Sequence, residues 1–150
     1  MTSTTAAGSA LAISAGNPAT DDAAGYAALT FTEIGQIDKI GAVGAVFAKV
    51  EFQPLKGPKQ KHKGSVDYGS LSPTLAHDES DAGQTLLRTA ADDATSKLYS
   101  FEVTYPTGAK RYFQGRVFGY PETTDGADTV ITAAPTVEIS TKIVKVPAAG

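Results

Sequence analysis

Apolar and polar residues alternate with a period of two through much of this chain, the pattern of strands buried on one face. From Ala27 to Ile34, Ala27, Leu29 and Phe31 fall on one side and Thr30 and Thr32 on the other. After a turn region rich in glycine, Val46 to Gln53 alternates again: Val46, Ala48, Val50 and Phe52 point one way, and Phe47, Lys49 and Glu51 the other. Pro54, Gly57 and Pro58 end that strand, and Gly64 to Leu71 reads as its returning partner. Tyr99, Phe101, Val103 and Tyr105 share a face in the next alternating stretch. Pro106-Thr107-Gly108-Ala109 then makes a turn, with proline presetting φ and glycine supplying a positive one. Lys110 to Tyr120 follows as the second arm of a hairpin, with Phe113 and Val117 on one side and Tyr112, Phe118 and Tyr120 on the other. Pro121 to Asp128 is a polar, acidic loop. Thr129 to Val146 is rich in β-branched residues, with Val137, Ile139, Thr141 and Ile143 on one face and Pro135 expected to bend or split it.

One stretch changes period. Between Asp78 and Asp93, Ala82, Leu86 and Ala90 recur at i, i+4 and i+8, with Leu87 and Ala91 beside them. That predicts a helix over about 78–93, capped by Asp78, with Glu79 and Asp81 at the positive end of its dipole. Its apolar stripe is narrow and alanine-rich, so it should lie on a sheet. Strands, one helix and then more strands predict a mainly β fold: a β-sandwich or small barrel with one flanking α-helix.

Residues 1–22 are rich in Ala, Ser, Thr and Gly and read as a flexible arm, with 10–14 as a short strand within it. No Lys or Arg precedes Leu11 and the apolar stretch there is interrupted, which argues against a secretory signal. Residues 23–146 form the single predicted domain, and 147–150 read as a frayed end. Of the 150 residues, 41% are hydrophobic, and no apolar run approaches the ~20 residues of a membrane-spanning helix.

Charge and side-chain chemistry narrow the function more by exclusion than by motif. Thirteen basic and 16 acidic residues give a net −3, the wrong sign for a protein that coats duplex DNA. There is no cysteine, hence no disulfide framework, thiolate metal site or cysteine nucleophile. With two histidines, His62 and His77, a multi-histidine metal centre is not expected, and His77-Asp78-Glu79 places ligand-type residues at adjacent positions that point apart. No phosphate-binding loop and no G-x-S-x-G elbow is present. Neither a catalytic set, a cofactor nor a metal is predicted.

One cluster of charge is unbalanced. Lys56, Lys59, Lys61 and Lys63, with His62, lie between Gln53 and Val66 with no acid among them. A solvated loop tip, a nucleic-acid contact and a docking loop for an acidic surface on another subunit are all compatible with this, although no aromatic residue interleaves with the lysines as a single-strand stacking platform would require. Setting those four lysines against the net −3 leaves −7 on the remainder, so one molecule carries both a basic segment and an acidic body.

Several stretches, taken in order, resemble a known family. Leu11-Ala12-Ile13-Ser14-Ala15-Gly16, Ala28 to Gly35 (ALTFTEIG) and Lys63 to Leu71 (KGSVDYGSL) are followed by a helix carrying Asp81-Ala82-Gly83-Gln84-Thr85-Leu86-Leu87. Then come Tyr99-Ser100-Phe101-Glu102-Val103, a Pro-x-Gly turn and Tyr112-Phe113-Gln114-Gly115-Arg116-Val117. Their order and spacing, from about Leu11 to Val146, resemble the tail tube proteins of long-tailed bacteriophages with non-contractile tails. The basic insert around Lys56 to Lys63 departs from that likeness.

The resemblance implies a β-sandwich-like subunit without enzymatic activity, made in the host bacterial cytoplasm and carried in the virion tail. Six copies would form a ring, and stacked rings a hollow tube through which the genome passes. It also implies partners: other copies of the chain, a tape-measure protein, tail tip or baseplate proteins and a tail terminator. On this view the long strands supply intersubunit edges, and Lys56, Lys59, Lys61, His62 and Lys63 reach toward the next ring. Terminal segments order on assembly. DNA must slide without binding, so Glu51, Glu102 and Glu138 become candidates for an acidic bore. The rival readings are a tail terminator, the tube of a contractile or type VI system, and a soluble β-sandwich binding module. The absence of tryptophan, the usual sugar platform, weighs against the last of these.

Overall fold

Most of the alternating segments pair as strands, and all the pairing is antiparallel. The computed structural model describes residues 3–148. In chain order its elements are β1 (Ala10–Ser14), α1 (Ala23–Ala27), β2 (Thr32–Glu33), β3 (Ile37–Lys39), β4 (Val46–Phe52), β5 (Gln60–Asp67), β6 (Ser70–Leu71), β7 (Thr74–Ala76) and α2 (Ala82–Asp92). They continue with β8 (Tyr99–Thr104), β9 (Lys110–Gly119), β10 (Glu122–Thr123), β11 (Thr132–Ala133), β12 (Thr136–Ile139) and β13 (Val144–Val146). The large sheet runs β2-β1-β8-β9-β12-β6, with β13 also on β9; a smaller one runs β10-β11-β7-β3; β4 and β5 pair only with each other.

The β8–β9 hairpin forms as the alternation predicts. Gly108 takes the positive φ of 97° that the turn requires, and its N–H donates to the Tyr105 carbonyl at 2.9 Å. Cross-strand register puts Phe101 opposite Phe113, and their rings stack at 5.5 Å. Leu11, Ile13, Phe101, Val103, Phe113, Val117, Val137 and Ile139 line the inner face of the large sheet. Leu75 and Ala133 of the small sheet and Leu87 and Ala90 of α2 close over them in one core. The other face of the large sheet carries a second, smaller cluster in which Tyr26 of α1 stacks on Tyr112 at 5.1 Å and Phe31 tilts against it at 5.7 Å.

Helix α2 starts later than its sequence suggested. Asp81, not Asp78, is the N-cap and accepts from the Gln84 N–H at 2.9 Å; Asp78 instead folds the preceding turn through the N–H and hydroxyl of Ser80. The same Asp81 carboxylate accepts the Gly35 N–H at 3.0 Å, tying the helix start to the chain beyond β2. Gln84 stands at a fully buried position. It donates to the carbonyls of Gly35 (3.0 Å) and Ala76 (2.9 Å) and accepts from the Asp78 N–H (2.9 Å) and the Tyr120 hydroxyl (3.2 Å). Beside it, Gly83 lets the helix touch the sheet: a Cβ there would lie 2.1 Å from the Glu33 carbonyl oxygen. Gly83→Ala should therefore push α2 off the sheet, at a net cost of about 2–3 kcal/mol after the ~1 kcal/mol of helix propensity that alanine returns. A thermal melt should show a loss of roughly 5–10 °C.

Three other expectations need correction. The strand expected over Ala27 to Ile34 is mostly absent. Asp22 caps α1 through the Gly25 N–H at 2.8 Å, Phe31 tilts against Tyr112 and Leu29 packs on the Tyr26–Tyr112–Val144 cluster from irregular backbone, and only Thr32–Glu33 pairs. The stretch Thr129 to Val146 splits at Pro135 as expected, with β11 in the small sheet and β12 in the large one, but it also breaks at 140–143, where β12 and β13 follow different halves of β9. Ala10–Ser14 is the short strand expected there, but it does not belong to a free arm: β1 lies between β2 and β8 with Leu11 and Ile13 fully buried, so it orders within its own chain. Met1 and Thr2, and Ala149 and Gly150 of the expected frayed end, lie outside the described residues.

Candidate assembly surface

Strands β4 and β5 form a hairpin that no other described element covers. Every residue of β4 is exposed, including Val46, Phe47, Val50 and Phe52, as is every residue of β5 except Gly64. Register sorts the side chains onto two faces, since directly opposed residues in an antiparallel pair point the same way. Val50 lies opposite His62 and Phe52 opposite Gln60, giving one largely apolar face. Phe47 lies opposite Val66, Lys49 opposite Lys63 and Glu51 opposite Lys61, giving a basic face. Lys63 Nζ sits 4.9 Å from the Phe47 ring centre. At the tip, the Gln53 side-chain amide donates to the Pro54 and Gly57 carbonyls at 3.0 and 3.1 Å, and Leu55 is completely exposed.

The basic cluster is thus only partly a loop. Lys56 and Lys59 lie in the turn, whereas Lys61, His62 and Lys63 belong to β5, whose main chain pairs with β4 from Gln60 onward. The returning strand expected at Gly64 starts earlier for the same reason and ends at Asp67, β6 being a separate strand. Lys49, inside β4, extends the basic face.

The three acidic candidates do not converge. Glu51 is on the hairpin, 3.0 Å from Lys49 and 3.5 Å from Lys59. Glu102 of β8 and Glu138 of β12 lie opposite Tyr112 and Arg116 of β9, which are an even number of residues apart, so the two share a face of the large sheet. Glu102 is mostly covered and lies 3.4 Å from Lys110 Nζ. Across from it, the Tyr112 hydroxyl is pushed up to about 12, by burial first and by the Glu102 carboxylate after it.

His77 and Glu79, expected to point apart, meet: Nε2 lies 2.7 Å from Oε1, because the chain turns sharply between β7 and α2. Nδ1 lies 3.8 Å from Glu122, and Arg88 stacks over Tyr120 at 5.7 Å, joining β7, α2 and β10 at the surface. Among the described residues no group of three or more His, Asp or Glu side chains could hold a metal ion. An open groove of about 840 Å³ runs between residues 4–9, β3 and Tyr105–Pro106. Its titratable lining is Asp38, Lys39 and Tyr105.

No family model matches the chain, and no curated protein matches it by sequence. Solved structures do match in shape. A chain of the anti-feeding prophage baseplate, determined by cryo-EM with 6-fold symmetrisation, superposes with a TM-score of 0.71 at 6% identity over 99% of this chain and 98% of that one. A chain of the PVC sheath/tube terminator of an extracellular contractile injection system gives 0.68 at 6% identity, over 98% and 99%. The fold is shared end to end with both of these chains. A chain of the phage p2 baseplate in its activated conformation gives 0.58 at 13% identity, with 90% of this chain covering 45% of that one. At such identities the likeness is one of fold.

Proposed function

We propose that this chain is a structural subunit of a phage-tail or injection-type apparatus, without enzymatic activity of its own. Copies close into rings, on this reading hexameric, and the rings stack into a hollow tube that conducts DNA. The observation that carries this is the bare β4–β5 hairpin. A two-stranded hairpin alone is marginally stable in water, and this one leaves the large apolar side chains of Val46, Phe47, Val50 and Phe52 exposed. A surface of that kind is completed by a partner, and identical subunits that meet head-to-tail make rings or filaments according to whether the rotation closes. End-to-end similarity to components of assembled injection machines supports the same reading. Lys56, Lys59, Lys61, His62 and Lys63 contact the next ring. Glu138, with no ion pair among the described residues, is the better candidate for the bore; Glu51, bonded to two lysines, and Glu102, mostly covered and paired with Lys110, are the weaker ones.

A second reading, the tube of a contractile system, is favoured by one observation: one of the similar chains comes from the sheath/tube terminator of an extracellular contractile injection system. Negative-stain microscopy of the purified protein at rising concentration tests the shared core of both. Rings or hollow tubes are expected, and a uniformly monomeric field at every concentration, with and without its tail-tip partners, would overturn the proposal.

A further inference from the structure

We propose that the surface receiving the hairpin is the loop between β10 and β11 of a second copy of this chain. The inference rests on the assembly reading above and adds to it the partner of the hairpin. The end strand β10 and the loop after it, residues 122–131, carry Glu122, Asp125 and Asp128 and no Lys or Arg. All are exposed, among them the apolar Val130 and Ile131. Neither Asp125 nor Asp128 makes a side-chain hydrogen bond or ion pair with any described residue. Some other acids are engaged within the subunit: Asp22 caps α1, Asp81 caps α2, and Asp93 accepts from Thr95 and Tyr99. The hairpin is the complement. Between Val46 and Asp67 it holds five lysines against two acids, with Lys56 and Lys61 unpaired among the described residues, Leu55 exposed next to Lys56 at the tip, and Val50 and Phe52 exposed on the face opposite Lys61. A basic, apolar projection and an acidic, apolar loop thus occur on one molecule.

The topology sets them at opposite ends. In the small sheet β3 and β7 are antiparallel, with Lys39 opposite Thr74, and from that end the chain leads into β4 and returns from β5 through β6. β7 and β11 are antiparallel as well, with Ala76 opposite Thr132, so the loop that precedes Thr132 leaves the sheet at the Ala76 end. The His77 N–H donates to the Ile131 carbonyl at 2.8 Å and fixes the loop there. Within a single molecule the two cannot complete each other without folding the hairpin back over the body, which its exposure excludes. Between molecules they pair head-to-tail, a contact that repeats. Opposite charges then set register, and the apolar side chains at each centre supply the burial.

Charge reversal tests the pairing. The hairpin variant carries Lys56→Glu, Lys59→Glu and Lys61→Glu; the loop variant carries Glu122→Lys, Asp125→Lys and Asp128→Lys. All six side chains are exposed, and circular dichroism melts should match the parent protein. Because like charges brought together cost several kcal/mol, each triple variant should raise the concentration for assembly, read by sedimentation, about a hundredfold. The sixfold variant should return to near the parent value. If the loop variant assembles like the parent while the hairpin variant fails, the hairpin docks elsewhere: this inference falls and the assembly reading stands. If the sixfold variant is no better than the hairpin variant, or the hairpin variant assembles normally, the inference falls as well. A parent protein that never assembles removes both.

Discussion

Gln84→Ala is expected to destabilise the fold by about 4 kcal/mol, a large share of the ~5–15 kcal/mol that holds a domain together. The side chain is fully buried and serves four groups on three segments: the Gly35 carbonyl, the Ala76 carbonyl and Asp78 N–H, and the Tyr120 hydroxyl. Each buried group left without a partner costs roughly 1–3 kcal/mol, and water re-entering the vacated space recovers only part of that. Urea unfolding should show a lower midpoint with an unchanged slope. Gln84→Met separates hydrogen bonding from volume, since methionine fills the space but satisfies none of the four groups. It should be nearly as damaging as alanine. Parent-like stability in the methionine variant would mean that packing, and not the polar junction, is what this residue provides.

Replacing Val50, Phe52 and Leu55 together by serine is expected to leave the subunit folded and its assembly crippled. None of the three touches the core, so the melting temperature should move by less than a few degrees. Burying an apolar side chain of this size is worth about 1.5–3 kcal/mol when complete. With each side chain about half covered in the contact, the loss is about 3 kcal/mol per interface, or roughly a hundredfold in the concentration at which rings or tubes appear. Light scattering against concentration measures it. Assembly indistinguishable from the parent would place the contact on some other surface, while a large fall in melting temperature would mean that the hairpin supports its own subunit.

The sequence made some of this legible and hid the rest for identifiable reasons. The β8–β9 hairpin was readable because alternation, a Pro-x-Gly turn and one-sided burial agree. The flanking helix was readable from its four-residue spacing, but its start was not: Asp78, Glu79 and Asp81 all suit a first turn, and only the Ser80 and Gly35 contacts decide which one caps. Ala27 to Ile34 misled because Leu29 and Phe31 do reach an apolar surface, the Tyr26–Tyr112–Val144 cluster, though from the chain after α1 and not from a strand. Lys61 to Lys63 looked like loop because charge usually marks one, yet a hairpin free on both faces sets no limit on charge. Gln84 was missed altogether. Its one signal was a polar residue sitting three positions before Leu87, on the side of the helix that meets the sheet.

The order of strands in the large sheet bears on how the molecule is made. β1, near the start of the chain, pairs with β8, and β6 waits for β12. Neither partnership can form on a ribosome until most of the chain has emerged. Closing such distant loops is slow, on the millisecond-to-second scale typical of all-β topologies. The β4–β5 hairpin closes over a short turn, in about 1–10 μs. The segment best suited to meeting other copies therefore takes shape first, while the body behind it is still open, so nascent chains crowded on one message face a risk of premature cross-pairing that finished subunits do not.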